Sequence, residues 1–140
     1  MKYHGCILEF TWQRNDELMK AYRQAIADRK CIDIEQISNE IVKMPCTRFW
    51  VSEERAMVVI AAIIKGKNIL KTMRNTKRKM FLEIHRRVIA LMKGNTSMSL
   101  YDAVIKVVNS PAPEFYMKPR CAMEIIYKIK KGFYDNLRRR

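Results

Sequence analysis

The sequence has few of the residues that interrupt helices, and it lacks the long apolar runs that cross membranes. Four glycines and four prolines in 140 residues leave little chain for loops, so we expect a helical protein. The longest apolar run ends at Ile64 and is less than half of the roughly 20 residues that a bilayer requires. Lys2, Glu9 and Arg14 interrupt any apolar stretch near the N-terminus, so we expect a cytoplasmic chain with no signal peptide and no membrane partner.

Residue patterns that carry catalysis or bind metals are also scarce. The two histidines, His4 and His85, have no matched serine or cysteine nucleophile. The glycines are isolated, so the chain has no glycine-rich phosphate loop. The cysteines lack Cys-x-x-Cys spacing, and in the cytoplasm we expect them to be free thiols: Cys6, Cys31, Cys46 and Cys121. The sequence therefore predicts no enzyme, no metal site and no cofactor.

Positive charge is abundant and unevenly placed. The chain has 28 Lys and Arg against 14 Asp and Glu, which gives a formal net charge of +14. Residues 1–70 hold 11 basic and 9 acidic side chains, whereas residues 71–140 hold 17 and 5, a net of +12. Such asymmetry favours a polyanion partner, with nucleic acid first and a membrane surface second. The alternative is a basic surface that serves solubility, which needs far less net charge.

The sequence repeats itself at a distance of 66 residues. Residues 45–66 align with residues 111–132 without a gap. The identical positions include a proline, an aromatic residue and a terminal glycine at fixed distances, which convergence of two unrelated helices does not explain: Pro45/Pro111, Phe49/Phe115, Ala56/Ala122, Met57/Met123, Ile60/Ile126, Lys65/Lys131 and Gly66/Gly132. We interpret the chain as a tandem duplication.

Each repeat has the signals of three helices. We expect the first helix to begin after Asn15 in repeat one and near Thr76 in repeat two. Capping residues predict starts of the second helices at Asp33 and Ser99, and Pro45 and Pro111 end them. The third helices begin at Ser52 and at Pro119, and each ends at a C-cap glycine, Gly66 or Gly132.

The predicted fold is all-α, with two tandem duplicated three-helix units and a short extended N-terminal arm. Residues 1–70 form a near-neutral, structural first unit, and residues 71–140 form a strongly basic second unit. The arm rests on the alternation of Leu8, Phe10 and Trp12.

The third helix of the first repeat is apolar nearly all round, which is typical of a helix that is buried on more than one side. We expect it to pack against the second unit, a second copy or a larger protein. The residues predicted for this interface are Val58, Ala61, Ala62 and Ile64.

A three-helix unit with a turn before a basic third helix resembles the trihelical helix-turn-helix DNA-binding proteins in topology. Ala103 matches the small residue of that turn, whereas Val107 stands where the family has glycine. The resemblance implies that the third helix of the second repeat meets DNA. The candidate contact residues are basic, since phosphate is acidic: Lys77, Arg78, Lys79, Arg86, Arg87, Lys118, Arg120, Lys128, Lys130, Lys131, Arg138, Arg139 and Arg140.

Three functional hypotheses follow from these patterns. The first is a small bacterial or phage DNA-binding protein, a transcriptional regulator or an architectural accessory of a mobile element, which prefers duplex DNA. The second is an RNA-binding accessory of a larger enzyme, such as a polymerase or reverse transcriptase. The third is a structural or interaction protein, for example of a phage particle.

Overall fold

The protein is all-α in the part of the chain that the computed structural model describes, residues 10–27 and 29–134. Within these residues there is no β-strand, and the fold-class prediction of an all-α chain is confirmed. No described helix is both long and apolar enough to cross a bilayer. The helices are α1 Thr11–Ile26, α2 Ile34–Val42, α3 Glu53–Ile64, α4 Asn75–Gly94, α5 Leu100–Val108 and α6 Pro119–Lys130, with a 3₁₀ helix over Ile69–Thr72.

The helices form two compact bundles, and each bundle takes its third helix from the other repeat. In the first bundle, α1 and α2 pack with α6; in the second, α4 and α5 pack with α3. The described residues of the first bundle come from 10–44 and 113–134, and the second bundle covers 45–112. This division differs from the predicted boundary between residues 70 and 71.

The exchange is physically reasonable because the buried faces of α3 and α6 are nearly the same. Ala56 and Ile60 of α3 are buried in the second bundle, and their equivalents Ala122 and Ile126 of α6 are buried in the first. A helix with the same apolar stripe fits either pair of partner helices. Helical periodicity therefore predicts which face is buried but not which helices cover it.

Backbone hydrogen bonds repeat at the 66-residue spacing. In the second bundle the N–H of Phe49 donates to the carbonyl oxygen of Val108 at 3.0 Å. In the first bundle the N–H of Phe115 donates to the carbonyl oxygen of Val42 at 2.9 Å. Both phenylalanines are buried, so each anchors the connection that precedes a third helix.

Five of the six predicted helix starts match the structure, and one of them is that of α4, which begins at Asn75 beside the predicted Thr76. Asp33, Ser52 and Ser99 are the N-caps of α2, α3 and α5, and each side-chain oxygen lies 3.1 Å from a backbone nitrogen of the first turn. Pro119 is the first residue of α6. Capping bonds satisfy N–H groups that a helix itself leaves without a partner.

The first helix begins earlier than predicted. It starts at Thr11, and Asn15 lies buried inside it instead of capping it. Burial of Phe10 and Leu18 holds this first turn in place, and packing of that kind outweighs a single capping signal. The helical start includes Trp12. The rest of the predicted extended arm, residues 1–9, lies outside the described residues.

Two glycines end the equivalent helices α3 and α6. Gly66 has φ +82° and Gly132 has φ +77°, a region that residues with a Cβ rarely adopt. The N–H of Gly66 donates to Ile63, and that of Lys67 donates to Ala62, which is a complete Schellman motif. The C-cap predictions are therefore confirmed.

Candidate nucleic-acid interface

The helix α6 turns one face to α1 and α2 and a basic face to solvent. Its buried side carries Ala122 and Ile126. Arg120, Lys128 and Lys131 are exposed, and Lys118 is exposed at the N-cap position. We call Lys118, Arg120, Lys128 and Lys131 the α6 cation cluster.

Arg120 pairs within the helix with Glu124, whose carboxylate lies 3.5 Å from Nε. Both side chains are largely exposed, and ion pairs in that setting contribute little free energy. The guanidinium can therefore exchange this partner for a phosphate or for a guanine edge, which its planar fork fits.

Lys130, which the sequence grouped with these cations, has a structural role. Its Nζ donates to the hydroxyl oxygen of Tyr22 at 3.1 Å and lies 4.4 Å from the centroid of that ring. Tyr22 is a buried residue of α1. Lys130 therefore ties α6 to α1.

A groove of about 840 Å³ runs between α2 and α6. Its apolar lining includes Ile34, Met123 and Tyr127, and three members of the α6 cation cluster stand along it. Sites of this type combine apolar walls with a few polar groups that fix orientation. The remaining lining comes from Glu35, Ser38, Asn39, Pro119 and Glu124.

Two exposed aromatic rings of the first bundle each have a lysine ammonium group over one face. The Nζ of Lys131 lies 4.9 Å from the centroid of the Tyr127 ring, and the Nζ of Lys128 lies 5.3 Å from that of Phe133. Tyr127 is 59% exposed although it lines the groove. Cation–π attraction holds ammonium groups over the faces of these rings.

The equivalent positions of α3 have none of this chemistry. Where α6 presents Tyr127 and Lys128, α3 has Ala61 and Ala62. Where the α6 start has Lys118 and Arg120, the α3 start has Ser52 and Glu54. The basic, aromatic surface is therefore a property of α6 and not of the repeated scaffold.

The helix α4 contains a second group of predicted contact residues, and they have different surroundings. Lys77, Lys79 and Arg86 are exposed. The Nε and Nη2 of Arg86 donate to the two carboxylate oxygens of Glu83, at 3.1 and 2.6 Å. These three are the predicted α4 contact residues that the structure presents to solvent.

Arg78 is held by the segment that precedes α4. Its Nε donates to the carbonyl oxygen of Leu70 at 3.1 Å, and its Nη2 donates to that of Met73 at 3.0 Å. Carbonyl oxygens at the end of the 3₁₀ helix need donors. Arg78 supplies them and fixes this turn against α4.

Arg87 is likewise part of the internal structure of the second bundle. Its Nη1 donates to the carbonyl oxygen of Pro111 at 2.7 Å, and its Nε donates to the Glu83 carboxylate at 2.7 Å. The guanidinium carbon lies 5.0 Å from the centroid of the buried Phe49 ring. Arg87 therefore connects α4 to the segment after α5.

Glu83 is the acidic centre of these contacts. Its hydrogen bond with Arg86, joined by its bond with Arg87, holds the pKa of the Glu83 carboxyl below its usual range, and partial desolvation opposes this shift. The favoured form of the side chain is thus the carboxylate.

Sequence reasoning missed Lys93 as a member of the α4 surface. Lys79, Arg86 and Lys93 are exposed and follow one another at seven-residue intervals. Seven residues are nearly two helical turns, so the three side chains share one face at intervals of about 10 Å. The heptad spacing was a usable signal. We call these three residues the α4 stripe.

The predicted α3 interface is partly exposed. Ala61 and Ala62 are half-buried, whereas Val58 is 57% and Ile64 is 47% exposed. The opposite face of α3 packs on α4 and α5. An apolar strip of α3 therefore lies at the surface of the second bundle.

Arg138, Arg139 and Arg140 lie outside the described residues, as does Cys6. Cys46 is buried, and Cys31 and Cys121 are exposed. No group of three metal-ligating side chains occurs within residues 10–27 and 29–134.

Comparisons with protein-family models, with curated proteins and with solved structures found no match to this chain.

Proposed function

We propose that this protein binds nucleic acid through the α6 cation cluster, with duplex DNA as the preferred partner. The observation that carries the proposal is the solvent-facing side of α6. The four basic side chains of the α6 cation cluster are exposed there, and the one acidic residue of α6 is Glu124. The role that fits a small basic protein of this kind is that of a transcriptional regulator or an architectural accessory of a mobile element.

Counterion release supplies the physical basis. Each lysine or arginine that neutralises a phosphate frees a condensed cation from DNA, so affinity falls steeply as salt rises. Lys118 and Lys128 are exposed and line the groove, Lys118 at the N-terminal end of α6 and Lys128 in its last turn. Flexible ammonium groups suit phosphate contact because they do not require one fixed geometry.

The helix-turn-helix resemblance takes a specific form in this proposal. The helix that meets DNA is α6, and α1 and α2 are the helices that support it. The N-terminal end of α6, with Lys118 and Arg120, is the end that recognition helices direct to base edges. The α4 stripe offers a second phosphate contact on the other bundle.

The experiment is a pair of charge reversals in the full chain. Lys118→Glu with Lys128→Glu removes two proposed phosphate contacts, whereas Lys20→Glu with Lys30→Glu makes the same change in net charge at exposed positions of the first bundle outside α6 and its groove. We expect the α6 pair to weaken binding of random duplex DNA at least ten-fold and to lower the salt slope by about two. Equal weakening by both pairs would show a diffuse charge effect and contradict the proposal.

A second candidate function is self-association through α3, which the exposure of Val58 and Ile64 favours. Exposed apolar strips of this kind mark protein contacts. Many DNA-binding proteins use a dimer to place two equivalent surfaces on one duplex.

A further inference from the structure

We propose that the groove between α2 and α6 binds an unpaired nucleotide, whose base stacks on Tyr127 and whose phosphates contact Lys118 and Lys128. The proposal rests on the function proposed above and names the feature of nucleic acid that the site selects. The ligand class is a nucleotide that has left the base stack, as in a bulge, a loop or a flipped base.

Tyr127 presents its aromatic ring to the groove and to solvent. Its ring is 59% exposed, and its phenol is part of the apolar lining together with Ile34 and Met123. A large aromatic ring gains free energy when a flat apolar group covers it. Bases stack on exposed aromatic side chains without regard to sequence, because every base has a π-face.

Basic side chains lie around this ring. The Nζ of Lys131 lies over one face of the ring, 4.9 Å from its centroid, and Lys118 and Lys128 line the same groove. An aromatic platform bordered by cations is the arrangement with which proteins hold single-stranded nucleic acid. A nucleotide fits both features, because its base can stack on the aromatic ring and its flanking phosphates can contact the cations.

The two repeats differ at this surface. The scaffold position of Tyr127 is filled by Ala61 in α3, and that of Lys128 by Ala62. A tyrosine needed only for packing would be buried. Tyr127 is instead exposed beside a groove, and the equivalent position of the first repeat has only the methyl side chain of Ala61.

The test uses the full chain and three duplexes that differ in one nucleotide. The first has a single unpaired thymidine, the second has an abasic residue at that position, and the third is fully paired. The bulged duplexes have the same phosphates and differ only in the base. We expect the thymidine bulge to bind about ten-fold more tightly than the abasic bulge, as one base-aromatic stack provides.

Three variants assign that difference to the groove. Tyr127→Ala should remove the preference for thymidine and leave binding of the abasic bulge unchanged. Tyr127→Phe should keep the preference because it keeps the ring. Tyr101→Ala is the matched control, since Tyr101 is also exposed, at 47%, but belongs to α5 in the other bundle.

The outcomes separate this proposal from the one on which it rests. Equal binding of thymidine and abasic bulges by the native chain would overturn the nucleotide site and leave DNA binding intact. Loss of the preference in Tyr101→Ala as well as in Tyr127→Ala would also overturn it. Absence of binding to all three duplexes would instead overturn the proposed function.

Discussion

The backbone N–H of Phe115 donates to the carbonyl oxygen of Val42 at 2.9 Å and joins the start of the α6 connection to the end of α2. The equivalent bond in the second bundle runs from the N–H of Phe49 to the carbonyl oxygen of Val108. Phe49 precedes Phe115 by 66 residues, and Val108 follows Val42 by 66 residues. The two connections thus cross between repeats in the same way. Each of these two equivalent bonds joins the connection before a third helix to the end of the second helix of the other repeat.

We expect the isolated second repeat, residues 71–140, to form a dimer. On its own it has α4 and α5 without α3, and α6 without α1 and α2. The apolar stripe of α6 matches that of α3, so α6 of one copy can cover α4 and α5 of another, as in domain swapping. Sedimentation equilibrium measures the mass. A folded monomer with cooperative unfolding would contradict the exchange of third helices.

Gly66→Ala should destabilise the protein by about 1 kcal/mol, because alanine at positive φ is strained. A Cβ at Gly66 meets no atom within 4 Å, so the cost comes from the backbone and not from a clash. Gly94→Ala is the control: its site is equally open and lies at the end of α4 without positive φ. Urea unfolding compares the two, and an equal change in both variants would refute the backbone explanation.

Acid should destabilise the second bundle through Glu83. Its pKa is lowered in the folded protein by Arg86 and Arg87. The stabilisation is therefore fully present above the unfolded value of about 4.3 and is lost as pH falls through the folded pKa. Glu83→Gln should reduce the slope of the free energy of unfolding against pH in this acid range, measured by urea titrations. An unchanged slope would show that these contacts contribute nothing to stability.

Self-association through α3 should be sensitive to charge on its exposed strip. We expect Val58→Lys to raise the dimer dissociation constant at least ten-fold, since a lysine in an apolar interface must be desolvated. Ile32→Lys places the same charge at an exposed apolar residue outside α3 and should leave the constant unchanged. Sedimentation velocity measures both. A native chain that stays monomeric at all concentrations tested would remove α3 as a self-association surface.

Local features of the fold could be predicted from the sequence, because caps and terminal glycines act within one turn of chain. Asp33, Ser52 and Ser99 cap as expected, and Gly66 adopts the left-handed conformation. The pairing of helices could not be predicted. The equivalent stripes of α3 and α6 fit the same partners, so the choice depends on the path of the connections.

The candidate site was predicted only as a set of charges. The sequence identifies every lysine and arginine, but it does not show which of them donate hydrogen bonds to acceptors inside the fold. Arg87 bonds a carbonyl 24 residues further along, and Lys130 bonds a tyrosine of α1. Such partners come from distant segments and become visible only in the fold. The groove beside Tyr127 has the same origin, because α2 and α6 lie far apart in sequence.

The most direct test of nucleic-acid binding is fluorescence anisotropy of the native full chain with random duplex DNA and with a structured RNA, at two salt concentrations. Our account predicts tight binding of duplex DNA that weakens steeply at the higher salt, with weaker binding of the RNA. Weak binding of both polymers would contradict it and direct attention to a protein partner for the basic face of α6.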